Sequence, residues 1–201
     1  MPHLPPLTRL APVTRALLIL ATAGALLAGC STATEPGAPG AQNGAMMGGN
    51  QTPDLFCAAP TGLPGTRVTV SLGDVGMTGM MMGDAPTNVP MQLIAQPASV
   101  PAGKVSLVVE NRGWRLHEVV VLPLAKGASA GQRVVGSDGK VDEAGSLGES
   151  STTCASGSGE GIASGAVGWV TVTLAPGRYE LVCNLKNHYA NGMRQELVVT
   201  G

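Results

Sequence analysis

Three donors of graded softness stand within a short stretch near the C-terminus: Cys183, His188 and Met193, in the order Cys-x4-His-x4-Met. A thiolate, an imidazole and a thioether together suit copper better than any hard cation. A trigonal copper site needs a second imidazole, and His117 supplies one at the head of the apolar run Val119, Val120, Val121 and Leu122. The chain has 3 histidines, and the remaining one, His3, falls in an N-terminal segment expected to be removed. Every histidine of the mature chain is thus in the candidate site.

Taken singly, these residues have plainer readings. A lone histidine on an apolar strand is usually a packed core residue, and a lone cysteine near a C-terminus is usually inert. Zinc competes for Cys and His, but a structural zinc site wants a fourth Cys or His where this chain offers a thioether. Paired-copper sites want a second ligand cysteine, and oxidase-type clusters want several more histidines. The joint pattern favours one copper ion held by His117, Cys183, His188 and Met193.

The elements that must position these donors read as strands. Short β-rich runs broken by Gly and Pro occupy residues 66–72, 91–95, 104–110, 117–122, 167–174, 178–183 and 195–200. Turn signals such as Pro101-Ala102-Gly103 and Pro176-Gly177 separate them, which implies a sandwich of antiparallel sheets. No segment carries a sustained apolar helical period, so helix should be scarce. Aromatics are few, so Val, Leu and Ile must fill the core. Along residues 178–183 the strand period puts Tyr179, Leu181 and Cys183 on one face and Arg178, Glu180 and Val182 on the other. The thiol is thereby aimed inward. Asn191-Gly192 is a turn pair immediately before Met193 and lets the chain fold back over Cys183.

The run from Pro176 to Cys183, followed by Cys-x4-His-x4-Met, resembles the C-terminal copper loop of the cupredoxins, the type 1 blue copper proteins. Its spacing is similar to that of rusticyanin and sulfocyanin and longer than that of plastocyanin between Cys and His. The stretch from Val108 through Asn111 and Gly113 to His117 is similar to the family's approach to its first histidine. The resemblance covers about residues 66–200, and only these two motifs are specific. It implies an all-β, cupredoxin-like Greek-key β-sandwich, with His117, Cys183 and His188 as the trigonal ligands and Met193 as a weak axial one.

Three features depart from or add to that pattern. Many cupredoxins carry Asn or Ser after the first histidine, whereas this chain has Glu118, which either faces solvent or approaches the metal; Glu118 and Asn111 are candidate residues behind the ligands. A methionine cluster, Met77, Met80, Met81 and Met82, reads as packing or a soft docking surface, with Cu(I) loading or storage as the alternative. Basic residues Arg112, Arg115, Lys186 and Arg194 flank the ligands. They either gather at the copper end or point apart as ordinary solubilising charges.

The N-terminus reads as an export signal over residues 1–29: Arg9 and Arg15, an apolar stretch over 16–27, then Leu27-Ala28-Gly29-Cys30. That tetrad resembles the lipobox of bacterial lipoproteins, which implies lipidation of Cys30 and a membrane-attached, extracytoplasmic protein. An ordinary secretory signal is the alternative. Residues 30–52, rich in Ala, Gly, Pro and Thr, read as a flexible tether, and Met46-Met47 within it as filler, with a copper-collecting pair as the alternative. Residues 53–201 form the copper-binding domain. Of the 4 cysteines, Cys30 goes to lipid and Cys183 to metal. Cys57 and Cys154 are left to form a disulfide in an oxidising compartment, the alternative being an extra metal ligand. The bridge would pin a Gly- and Ser-rich, weakly structured excursion over residues 127–165.

The whole chain has 12 basic and 13 acidic residues, a net charge of -1; nothing invites nucleic acid. The function expected is a monomeric one-electron carrier, exchanging electrons with redox partner proteins of a respiratory or envelope chain. A copper chaperone or storage protein using residues 77–82 is the alternative. An enzyme would need a second catalytic copper and further histidines to hold it.

Overall fold

The computed structural model describes residues 52–74 and 84–201. The signal segment, Cys30, nearly all of the tether and the methionine cluster at 77–82 lie outside the described residues.

Nine strands form two sheets, and no helix occurs among the described residues. The first sheet has the order β2-β1-β4-β7, from Met91–Gln96, Thr66–Asp74, Gly103–Asn111 and Val167–Leu174. The second has the order β3-β9-β8-β5-β6, from Ser99–Pro101, Arg194–Thr200, Gly177–Val182, Val119–Pro123 and Gly148–Ser150. The all-β sandwich is as expected, but the sheets are mixed. β1 runs parallel to β4, with Val70 beside Val109, and β3 runs parallel to β9. Alternation along a strand reports which face is buried, not the direction of its neighbour, so the sequence pattern carried no information on this point.

The inner faces meet in a core of Val68, Val70, Leu72, Leu107, Val109, Val121, Leu181, Leu197 and their neighbours, with Cys183 and Met193 in the same cluster. The β8 alternation holds: Tyr179, Leu181 and Cys183 face this core. The opposite face of β8 is buried as well. Val182 packs with Val120, Leu122, Val141 and Tyr189 in a second small core. Glu180 is wholly buried beside it, accepting bonds from Arg133 Nε (2.7 Å), the Gly131 amide (2.6 Å) and the Tyr189 hydroxyl (3.0 Å). A buried carboxylate is tolerable only when so paired.

The chain between β5 and β7 supplies that cover, so the excursion is more ordered than its composition implied. It contains β6 and bridges Val135 to Val141, Thr152 to Gly161, Ser156 to Trp169 and Ile162 to His117. Its glycines serve turns: Gly139, at φ 79°, packs so closely that an added Cβ would lie 2.6 Å from the Asn187 side-chain oxygen. Cys57 and Cys154 form the expected disulfide, joining the segment before β1 to this excursion.

Candidate metal centre

The two ligand segments reach one end of the sandwich by different routes. After β4, residues 112–116 loop across to His117, whose amide and carbonyl pair with Ile162 at 3.2 and 2.7 Å. Asn111 holds this loop from within. Its Nδ2 donates to the carbonyls of Arg115 and Ile162, both at 2.7 Å, and its Oδ1 accepts the Gly113 amide at 2.9 Å. Asp74, the last residue of β1, holds the loop from the other side, accepting the Trp114 amide at 2.7 Å and the Arg115 amide at 3.2 Å.

The second segment leaves β8 at Cys183 and returns at β9. The Cys183 amide donates to the Met193 carbonyl (3.0 Å), and the Met193 amide donates to the His188 carbonyl (3.1 Å). Met193 is therefore tied by its backbone to both other donors of the loop. Its side chain is fully buried in the core cluster that contains Cys183. The turn itself needs two left-handed residues, Asn187 at φ 68° and Gly192 at φ 110°. Asparagine and glycine are the residues that adopt this conformation most readily.

Asparagine side chains fasten the loop to its surroundings. Asn187 Nδ2 donates to the Ala85 carbonyl and Asn191 Nδ2 to the Pro86 carbonyl, at 2.7 and 2.8 Å. Asn184 exchanges bonds with the Val141 amide (2.7 Å) and carbonyl (2.9 Å).

His117 Nδ1, Cys183 Sγ and His188 Nδ1 converge. The two nitrogens are 3.1 Å apart, and the sulfur lies 3.9 and 3.3 Å from them respectively. All three residues are buried, and among the described residues they form the one group of three or more such donors within 4.8 Å of one another. Donors about 2.0–2.3 Å from one ion and spread around it in a plane stand roughly 3.5 Å apart, so the spacing fits a single ion. The donor set, two imidazoles and a thiolate with a buried thioether alongside, suits copper.

Burial and neighbouring charges set the protonation of the three donors. Burial, then the other imidazole and Arg115, hold His117 well below the usual histidine range. Burial, followed by Arg115, lowers His188 to about 4. Both rings are thus neutral and able to coordinate. Burial first, and the Glu118 carboxylate second, push the Cys183 thiol far up. It is a thiol in the metal-free site, so binding a metal must release its proton.

Glu118 takes neither course expected of it. Its side chain is buried, it is not part of the donor cluster, and its carboxylate accepts the Asn184 amide at 3.1 Å. It ties the two ligand segments together through that bond, as an Asn or Ser would, with an acceptor alone. Burial, with Glu149 and Glu143 nearby, raises it to about 7.

Each of the four basic residues has a partner of its own. Arg112 pairs with Glu110 and Lys186 with Asp84, each at 2.7 Å. Arg194 lies over the Tyr189 ring, 5.2 Å from its centroid, and Arg115 is buried next to Asp74. Asp74, Ile162 and Asn184 were missed by sequence reasoning. Asp74 ends a strand and Ile162 sits in a glycine-rich run, and neither carries a local signal of its partner.

No curated protein sequence matches the chain. The solved structures it resembles include auracyanin A, a blue copper protein from the green thermophilic photosynthetic bacterium Chloroflexus aurantiacus (17% identity, 67% of this chain and 99% of that one, TM-score 0.39). They also include reduced auracyanin from Roseiflexus castenholzii (16%, 68% and 100%, 0.39) and rusticyanin from Thiobacillus ferrooxidans (17%, 68% and 79%, 0.38). A family model described as the sulfocyanin (SoxE) domain matches residues 92–201. That span contains His117, Cys183, His188 and Met193 and more than half of the sequence, and the chain belongs to the sulfocyanin domain family of cupredoxins.

Proposed function

We propose that the domain is a one-electron carrier of the cell envelope, with His117, Cys183 and His188 as the principal ligands of one copper ion and Met193 as the axial one. The observation that carries this reading is the convergence of three buried donors at the ends of two independently braced segments. Copper, when bound, supplies a one-electron couple between its Cu(II) and Cu(I) states. The chain's part is to keep the donors where they are in both states. The Ile162 pairing fixes His117, the Met193 backbone bonds fix Cys183 and His188, and Glu118 links the two segments. Burial excludes water from the donors, and the Glu118 amide, 3.4 Å from the Cys183 sulfur, stabilises negative charge there. Nothing in this arrangement favours release of a metal to a chaperone's client, since every donor is enclosed.

Titrating the protein with Cu(II) while recording visible and paramagnetic resonance spectra tests the reading. An intense thiolate-to-copper band at one equivalent is the expected result, and its absence overturns it.

We further propose that the domain is attached by lipid at Cys30 through a flexible tether, on the support of Leu27-Ala28-Gly29-Cys30. Cys30→Ser should shift the protein from the membrane fraction to a soluble or unprocessed form. A wild-type protein that is already soluble and lacks an acylated Cys30 speaks against it.

A further inference from the structure

The ring of His117 presents Nδ1 to the donor cluster and turns Nε2 the other way. That Nε2 is fully buried and has no hydrogen-bond partner. A buried N–H without an acceptor is costly, and a coordinating histidine almost always donates its second nitrogen to a neighbour. With Nδ1 engaged by a metal, the neutral ring must carry its proton on Nε2.

The group that faces this nitrogen is Asp74 Oδ2, at 4.0 Å, on a side chain only 1% exposed. Asp74 is fixed there independently of the histidine. Both of its oxygens accept amides of the loop, from Trp114 and Arg115. Gly113 closes over the pair: a Cβ at that position would lie 2.6 Å from Asp74 Oδ1 and 2.8 Å from His117 Nε2. A shift of about 1 Å brings nitrogen and carboxylate into hydrogen-bond range.

We propose that Asp74 is the positioning residue for His117: it accepts the Nε2 proton, orients the ring, and places a buried negative charge behind the ligand that favours the oxidised ion. This rests on the copper reading above. Arg115, whose Nε lies 3.8 Å from the same oxygen, offsets part of that charge. The effect therefore belongs at the lower end of the 10–100-fold range for partners of metal-bound histidines.

The experiment uses the full chain and copper alone as the probe. Reduction potential and the separate affinities for Cu(II) and Cu(I) are compared for wild type, Asp74→Asn and Asp74→Glu. Asp74→Asn keeps an acceptor for one of the two loop amides but loses the charge. It should keep the thiolate-to-copper band, lose about tenfold more affinity for Cu(II) than for Cu(I), and raise the potential by about 59 mV, the equivalent of that ratio for one electron. Asp74→Glu should recover part of the shift. Equal losses in both oxidation states, or an unmoved potential, would show a merely structural role and overturn the proposal. In the wild-type Cu(I) protein the His117 Nε2 proton should be visible by NMR and slow to exchange. A proton exchanging freely with water overturns the proposal even if the variants do not fold. A wild-type protein that takes up no copper overturns both readings, whereas retained copper with an unmoved potential overturns this one alone.

Discussion

Glu118 grips Cys183 from two directions: its amide points at the Cys183 sulfur from 3.4 Å, and its carboxylate accepts the amide of the next residue, Asn184, at 3.1 Å. One residue adjacent to a ligand histidine thereby sets both the polarity around the sulfur and the spacing of the two ligand segments.

The raised Glu118 carboxyl has a consequence for stability. Its value is about 7 in the fold against an ordinary 4.5, so between these limits the native state holds a proton that the unfolded chain has lost. Stability must fall as pH rises through this window. In metal-free protein, Glu118→Gln should remove that decline, worth up to about 3 kcal/mol by pH 8 at 1.36 kcal/mol per unit. Denaturant unfolding of both proteins at pH 5, 6, 7 and 8 measures it; parallel profiles would count against the assignment.

His188 acts at the other end of the scale. Its value falls from 6.5 to about 4, so the unfolded chain takes up a proton first as pH drops. The stability is present above about 6.5 and lost toward 4. Metal-free His188→Gln should show a shallower acid limb in the same unfolding series, and an unchanged limb would show that the ring is not held neutral by its surroundings.

Met193 should tune the centre without being needed to load it. Met193→Gln, bringing a harder oxygen, should retain copper and lower the potential, while Met193→Leu should retain copper and raise it. Cys183→Ser should abolish the thiolate colour. If Met193→Gln leaves spectrum and potential untouched, the thioether is not a ligand.

Asn111→Ala strands the Gly113 amide and the Arg115 carbonyl, while the Ile162 carbonyl keeps the His117 amide. Each uncompensated group costs about 1–3 kcal/mol, so a loss of roughly 2–4 kcal/mol in unfolding free energy is expected once relaxation is allowed for. The copper-loaded variant should also show broadened resonance lines as the His117 loop loosens. Wild-type stability in this variant would mean that the loop is held by Asp74 alone.

The donors were legible in the sequence because their types are scarce: the described residues hold two histidines and one unpaired cysteine, which leaves little choice. The seven longer strands were legible too, since Val-rich alternation marks a half-buried surface. Ser99–Pro101 and Gly148–Ser150 were not, being three residues each and too short to show a period. Glu180 was put by the strand period on the face opposite Cys183, but nothing local showed that this face is buried as well. Its partner Arg133 lies 47 residues away and is brought in by a glycine-rich segment whose turns have no hydrophobic pattern. Asp74 was hidden for the same reason, and for Glu118 only its place beside the ligand histidine was legible, not the amide it would accept. Each owes its role to amides of residues placed by folding, and an amide has no signature in the sequence.

The asparagines of the copper loop bear on whether this centre is portable. Asn184 is satisfied by Val141, Asn187 by Ala85 and Asn191 by Pro86. None of these partners lies within residues 183–193. Transplanted into another sandwich by itself, the loop would bring its donors and leave its restraints behind; its ligand geometry would then be dictated by the host. The unit that specifies this loop is three separated pieces of chain, and they have to be exchanged together.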